Sequence, residues 1–356
     1  MRYISIILFL FILISGCTKD VPLTSPKKLN TDTVLVSTFP LSAPTYGWEK
    51  VNLNIDVAEF AFDSQRNIYF ISSYTKLIHA DENFIIKDTL TVPSSDGLRS
   101  VLPFKIFINE NDILFLAEGN GFNDDLFVSN DKGKTWFSPT GFHSTQILNF
   151  SSKGNKVYIT SSGSDESAGM VQISEDNGKN WRTIINSEGS EHFDFCIENG
   201  FNEIFFMGNG SLYYSNDYGY TFTQRNLNFK YLYDYSIAFG FNNDLVFGTE
   251  SGIYLTKDGG LTWQSIYTKT DFVYFFTLFN SGSGLIYAMH RWENGYSDSG
   301  LKGVYISRDG GLTWYTYLSQ PEGSYYGAYQ LGKDGYLYIV CSVNNGNKLY
   351  KSSVKL

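Results

Sequence analysis

The sequence holds only three cysteines and four histidines in 356 residues. No His-x-His, His-Glu-x-x-His, Cys-x-x-Cys or EF-hand spacing occurs, so no metal site is expected and no cofactor is called for. A Gly-x-Ser-x-Gly elbow and a phosphate loop are also absent. Positive charge is short, 27 Lys and Arg against 36 Asp and Glu, for a net charge of −9. That balance argues against nucleic acid, whose phosphates need a basic footprint, and no polybasic membrane patch is present. No amphipathic helix is visible. The one long apolar run, residues 3–14, is too short for a membrane span of about 20 residues.

What the sequence does have is one eight-residue phrase written five times. It reads Ser307-Arg308-Asp309-Gly310-Gly311-Leu312-Thr313-Trp314, with earlier copies at 129–136, 174–181, 215–222 and 256–263. The shared form is [Ser/Thr]-x-Asp-x-Gly-x-[Thr/Asn]-[Trp/Phe]. Each copy lies between apolar and aromatic alternations, so it joins two strands of a hairpin. Asp and Ser/Thr oxygens can accept backbone hydrogen bonds, and glycine supplies the positive φ of a tight turn. The final aromatic can anchor the turn against a neighbouring unit. The aspartates, Asp131, Asp176, Asp217, Asp258 and Asp309, are 45, 41, 41 and 51 residues apart. A period of roughly 40 to 50 residues with several short strands is the pattern of propeller blades.

These five phrases resemble the Asp-box, or bacterial neuraminidase repeat, propellers. That family includes sialidases, xyloglucanase-type glycoside hydrolases, sortilin-like receptors and photosystem II assembly propellers. The resemblance implies an all-β, seven-bladed propeller of four-stranded antiparallel blades. It also implies structural roles for the five aspartates, on the face opposite the ligand. The last unit stops one strand short, and Tyr46-Gly47-Trp48-Glu49-Lys50-Val51 looks like the back half of a box followed by a strand. Strand Trp48–Leu53 is therefore expected to close the ring and remove its exposed edges.

Three segments are expected: a lipoprotein signal peptide at 1–16, a tether rich in Pro, Ser and Thr at 17–44, and the propeller at 45–356. Ile14-Ser15-Gly16-Cys17 resembles a lipobox, which would leave Cys17 as the lipid-bearing N-terminus. Thr18 after it favours the outer membrane, on the resemblance to Gram-negative lipoproteins. Four of the eight prolines, Pro22, Pro26, Pro40 and Pro44, fall in the tether, a composition that makes a semi-extended spacer. Cys196 and Cys341 belong to the fourth and seventh units, beyond disulfide reach, and read as small buried hydrophobes.

Function would reside in the loops of the face away from the boxes. The longest runs from His290 to Gly300 and contains Arg291, Trp292, Glu293, Tyr296 and Asp298. Others supply Asp165 and Glu166, with Gly119–Asp125 beside them. First-strand entries add His143, His192, Tyr231, Tyr325 and Tyr326. Aromatic faces with scattered carboxylates suit a sugar, and a pair of carboxylates could hydrolyse a glycoside. Asp165, Glu166, Glu293 and Asp298 are the acid/base candidates. Sialidases also need an arginine triad begun by an Arg-Ile-Pro-type motif; none occurs, and only Arg99 and Arg291 fall on the right face. The reading expected is a monomeric, lipid-anchored envelope module that binds a glycan or an envelope protein without catalysis. The alternatives are a glycoside hydrolase of xyloglucanase-like or sialidase-like type and an assembly factor for an envelope complex.

Overall fold

The computed structural model describes residues 44, 46–72, 76–92, 102–119, 124–143, 146–162, 169–186, 193–199, 201–208, 211–227, 235–240, 244–249, 252–268, 275–280, 285–292, 300–310, 312–319, 321–344 and 346–356. All regular structure among them is β, arranged as seven antiparallel sheets, six of four strands and one of three. Blade 1 holds β2 (Glu59–Phe62), β3 (Ile68–Ser72), β4 (Lys76–Ala80) and β5 (Ile86–Leu90), and blade 2 holds β6 (Leu102–Ile108), β7 (Leu114–Gly119) and β8 (Asp125–Ser129). Blade 3 comprises β9 (Gln146–Lys153), β10 (Lys156–Ser162), β11 (Met170–Ser174) and β12 (Arg182–Asn186). Blade 4 comprises β13 (Phe193–Glu198), β14 (Ile204–Gly208), β15 (Ser211–Ser215) and β16 (Thr223–Asn226). Blade 5 follows with β17 (Tyr235–Phe239), β18 (Leu245–Thr249), β19 (Gly252–Thr256) and β20 (Gln264–Thr268). Blade 6 has β21 (Phe275–Asn280), β22 (Ile286–Trp292), β23 (Gly300–Ser307) and β24 (Tyr315–Leu318). Blade 7 has β25 (Ser324–Leu331), β26 (Tyr336–Val343) and β27 (Gly346–Lys355), completed by the N-terminal β1 (Trp48–Lys50).

The ring is closed by β1, which pairs with β27 through Trp48 and Ser352, Glu49 and Lys351, and Lys50 and Tyr350. The closing strand is shorter than expected, ending at Lys50 rather than Leu53. Beyond it, Val51 still donates its N–H to the Leu349 carbonyl at 2.9 Å. Blade 2 departs from the four-stranded expectation. After its turn only Val128 and Phe137 pair, at 3.0 and 2.9 Å. Pro139 comes two residues later and has no N–H to extend a ladder.

Seven apolar clusters fill the seven interfaces between neighbouring blades. Each turn aromatic packs on the blade before its own: Trp136 with Leu90 and Tyr69, Trp181 with Phe115, Phe222 with Ile173 and Ile184, Trp263 with Phe205, and Trp314 with Ile253 and Ile266. The repeated motif thus stitches successive sheets together. Within each turn the aspartate is the hub. Asp217 accepts from the Ser215 hydroxyl at 2.8 Å, the Thr221 N–H at 2.9 Å and the Thr221 hydroxyl at 2.6 Å. The other four copies repeat this pattern, with the Asn180 amide in place of the hydroxyl at Asp176. Cys196 and Cys341 are buried, free thiols, and burial raises both.

Candidate functional site

First strands of neighbouring blades lie against one another, β2 beside β6 and β25, β9 beside β13, β17 beside β21, so they line the axis of the ring. Because strands alternate in direction, first-to-second and third-to-fourth turns emerge on one face, where the repeated motif sits. Second-to-third loops and the links between blades emerge on the other.

Asp165, Glu166, His192, Tyr231, Glu293, Tyr296 and Asp298 lie outside the described residues. Arg291 and Trp292 end β22, with backbones paired to Leu301 and Gly300. Tyr325 and Tyr326 lie at the start of β25, Tyr325 opposite Cys341. Strand direction places both pairs on the face away from the motif, in adjacent blades 6 and 7. His143 lies on that face at the entry to blade 3 and is exposed. Its backbone is held on both sides by one amide: Gln172, fully buried, accepts from the His143 N–H at 2.8 Å and donates to its carbonyl at 3.0 Å. A rigid scaffold therefore fixes the position from which the imidazole is presented.

Four polar residues at this end of blades 1 and 2 stand out, and only Asp124, within the expected loop Gly119–Asp125, lies in a segment that the sequence singled out. Glu59 opens β2 and Lys105 lies in β6, both half-buried beside the axis. Burial pushes the Glu59 carboxyl up to about 7, against the Lys105 charge and the Phe60 N–H, which favour ionisation. Burial likewise lowers the Lys105 ammonium, while Glu59 opposes that shift. Lys105 also donates to the Leu148 carbonyl of β9, so one side chain connects the first strands of blades 2 and 3 and faces an acid from blade 1. Glu118, next to the end of β7, is 1% exposed and its Oε1 has no partner among the described residues. Burial, and then the charge of its cross-strand neighbour Asp125, raise it to about 7. Asp124 is buried and accepts from the Ile147 N–H at 2.7 Å, binding blade 2 to blade 3. Gly119 must be glycine for that contact, because a Cβ there would lie 1.8 Å from Asp124 Oδ1.

Glu59, Lys105 and Glu118 each sit in a strongly apolar strand, as in Glu59-Phe60-Ala61-Phe62 and Leu114-Phe115-Leu116-Ala117-Glu118. That signal was readable, yet its meaning depended on knowing which strand lines the axis. Carboxyls that titrate near neutrality can donate or accept a hydrogen bond at physiological pH. Among the described residues, no group of three or more His, Cys, Asp and Glu could hold a metal ion.

No family model matches the chain, and no curated protein does. Solved structures do. YCF48 bound to D1 peptide is 12% identical with a TM-score of 0.59, covering 89% of this chain and 98% of that one. A streptogramin B lyase is 15% identical with a TM-score of 0.61, covering 86% and 97%. The GH74 xyloglucanase from Xanthomonas campestris is 12% identical with a TM-score of 0.57, covering 86% of this chain but 55% of the enzyme. At these identities the likeness is one of fold, and this chain is a seven-bladed β-propeller similar to proteins whose structures include a peptide complex and a glycan hydrolase.

Proposed function

We propose that this chain is a binding propeller of the Asp-box kind, anchored by a lipid at Cys17 in the outer membrane. In this reading residues 1–16 are its signal peptide, 17–44 its tether and 45–356 its propeller. The propeller takes up a glycan or an envelope protein on the face opposite the repeated motif, without catalysis of its own. The observation that carries this reading is the clamp on His143, whose exposed side chain is presented from a backbone fixed by buried Gln172. Pre-organised polar groups on a rigid ring favour recognition because little ordering cost remains when the ligand arrives. The D1 peptide bound by YCF48 is a precedent for ligand capture on this fold. The test is a glycan array and an envelope-extract pull-down with the chain and its His143→Ala and Trp292→Ala variants. Retention of one glycan class or one protein, lost in the variants, is expected; retention of neither ends the proposal.

Glycoside hydrolysis is the second reading, favoured by Glu118 at about 7 beside Asp125, the kind of acid and base pair that such chemistry uses. Glu118 is covered, so this reading requires sugar release that is abolished by Glu118→Gln. Activity that survives the substitution removes Glu118 from the reaction.

A further inference from the structure

Among the described residues, nine large apolar side chains stand exposed, and eight of them lie at the end of the ring that carries the repeated motif. Tyr329, inside β25, is the exception. The largest group belongs to blades 4 and 5: Phe201 is 70% exposed, Tyr218 46%, Tyr220 73% and Leu261 62%. Phe201 lies in the turn from β13 to β14, and the other three lie in repeated turns. Ile85 and Ile86 of blade 1, with Tyr46 and Tyr315 where blades 6 and 7 meet, complete the set around the rim. The turns do not require these side chains. The hydrogen bonds of the blade 4 turn come from Ser215, Asp217 and Thr221, and the positions of Tyr218 and Tyr220 hold Lys132 and Lys134 in blade 2. Tyr218 has a φ of +63°, a backbone that favours glycine or asparagine over a ring, and those two residues stand there in blades 3, 5 and 6.

Two cations seat the rings of blade 4. Lys156 Nζ lies 5.0 Å from the centre of the Tyr218 ring and donates to Asn202 Oδ1 at 3.4 Å, so it joins the Phe201 turn to the tyrosines. The Arg182 guanidinium lies 4.8 Å from the Tyr220 ring and donates to the Tyr218 carbonyl at 2.8 Å. Both charges are matched: Lys156 pairs with the buried Glu198 carboxylate at 2.7 Å, and Arg182 approaches Glu175 at 3.9 Å. The patch is therefore aromatic and close to neutral. The entry of the chain into the ring gives it a direction. β1 is the fourth strand of blade 7 and begins at the motif end, where Gly47 donates to the Ser353 hydroxyl at 3.0 Å and accepts from the Ser353 N–H at 2.9 Å. A tether at 17–44 thus joins the ring at the motif end of blade 7, and in a ring of seven the blade 4 patch stands across from that point.

We infer that the motif-bearing end of the ring rests on the surface of a phospholipid bilayer, with Phe201, Tyr218, Tyr220 and Leu261 reaching into the headgroup layer. Aromatic side chains favour that layer, where a ring meets the apolar side while a hydroxyl or a neighbouring cation stays with water and phosphate. The tether selects this occupant. A lipid at its far end holds the patch beside the bilayer, so insertion becomes intramolecular and the weak partition of a few side chains is enough. A soluble ligand gains nothing from the tether. Anchored at blade 7 and seated at blades 4 and 5, the ring lies flat and turns its ligand face away from the membrane. The inference rests on the lipid-anchored reading above and adds the orientation of the propeller to it.

The test uses the chain from Thr18 onward, with a hexahistidine tag at its start, captured on vesicles of phosphatidylethanolamine and phosphatidylglycerol that carry a minor share of nickel-chelating lipid. The tag replaces the lipid, so the result does not depend on Cys17; lipidation itself is read from the mass of the natural chain extracted from membranes. An environment-sensitive fluorophore is placed at Lys257→Cys, in the blade 5 turn that holds Leu261, or at Lys76→Cys, in the loop end of blade 1 on the opposite face; both lysines are exposed. Cys196 and Cys341 are buried and do not compete for the label. Capture is expected to brighten and blue-shift the label at 257 and to leave the label at 76 unchanged. Because the patch is near neutral, the response should persist at high salt. Phe201→Ser, Tyr220→Ser and Leu261→Ser together should abolish it with the same amount of chain captured, and a melting curve shows that the variant folds. No response at 257, equal responses at both labels, or a response that survives the triple substitution overturns the inference. So does retention of a saccharide that the triple substitution removes, with no response on vesicles, which makes the patch a glycan platform. A response at 257 together with an unlipidated natural chain ends the lipid anchor and leaves the bilayer-docking face standing.

Discussion

Asp131 and Asp217 accept hydrogen bonds first from the hydroxyl of the threonine four residues on and then from its N–H, and these donors hold both carboxyls at about 2. A carboxyl whose folded pKa is depressed contributes stability that is present above its unfolded value near 4 and is lost as pH falls toward 2. Glu59 and Glu118 behave in the opposite way, because burial disfavours their ionised form and raises both to about 7. Their contribution is complete below pH 4.5 and is lost as pH rises from there through 7. Stability should therefore climb between pH 2 and 4 and decline from about 4.5 to 7.5, as read by urea unfolding across the series. Glu118→Gln should flatten the upper limb and gain on the order of 1 kcal/mol at pH 8, with little change at pH 4. Lys105→Met should move Glu59 further up, because it removes the charge that lowers that carboxyl. A carboxyl-carbon NMR titration of Glu59 reads the shift, and an unchanged midpoint would sever the pairing described here.

The repeated turn shows how differently equal-looking glycines are constrained. Gly178 has a φ of +86° and a Cβ there would lie 2.3 Å from the Phe115 ring; Gly154 has a φ of +60° with nothing within 4 Å of its Cβ. Gly154→Ala pays only for the left-handed backbone, about 1 kcal/mol. Gly178→Ala adds overpacking between blades and should cost roughly 2 kcal/mol more, measured as the difference in unfolding free energy of the two variants. Equal losses would mean that the interface yields to the added methyl. The turn was also the most legible part of the sequence, because Asp, Gly and an aromatic recur at fixed offsets and each has a local physical reason. The missing ladder of blade 2 was less so, since Pro139 acts on one strand only after pairing is known. Glu118 and Lys105 were hidden for a related reason. A lone charge in an apolar strand acquires meaning once topology places that strand at the axis or at a loop end. The expected site residues are legible as loop chemistry, but their spacing in sequence does not specify how they converge.

At the scale of the molecule, closure depends on a three-residue strand and one indole. Six blades are each continuous in sequence, whereas blade 7 is joined by β1 on β27, the Trp48 bond to Ser319, and backbone bonds of 3.1 and 2.9 Å that tie Tyr46 to Tyr317 and Ser319. Removing the indole takes half-buried apolar surface from the blade 6–7 cluster and leaves the Ser319 carbonyl without its donor. Trp48→Ala should cost roughly 2 to 4 kcal/mol. The more discriminating quantity is where the loss appears. Each blade touches only its two neighbours, so a defect at the seam should release blade 7 locally before the ring melts as a whole. Native-state hydrogen exchange of Trp48→Ala should show faster exchange in β1 and β27 while β9 to β12, on the far side of the ring, keep their protection. Uniform acceleration in every blade would mean that closure stabilises the seven sheets as one cooperative unit, with the seam no weaker than any other interface.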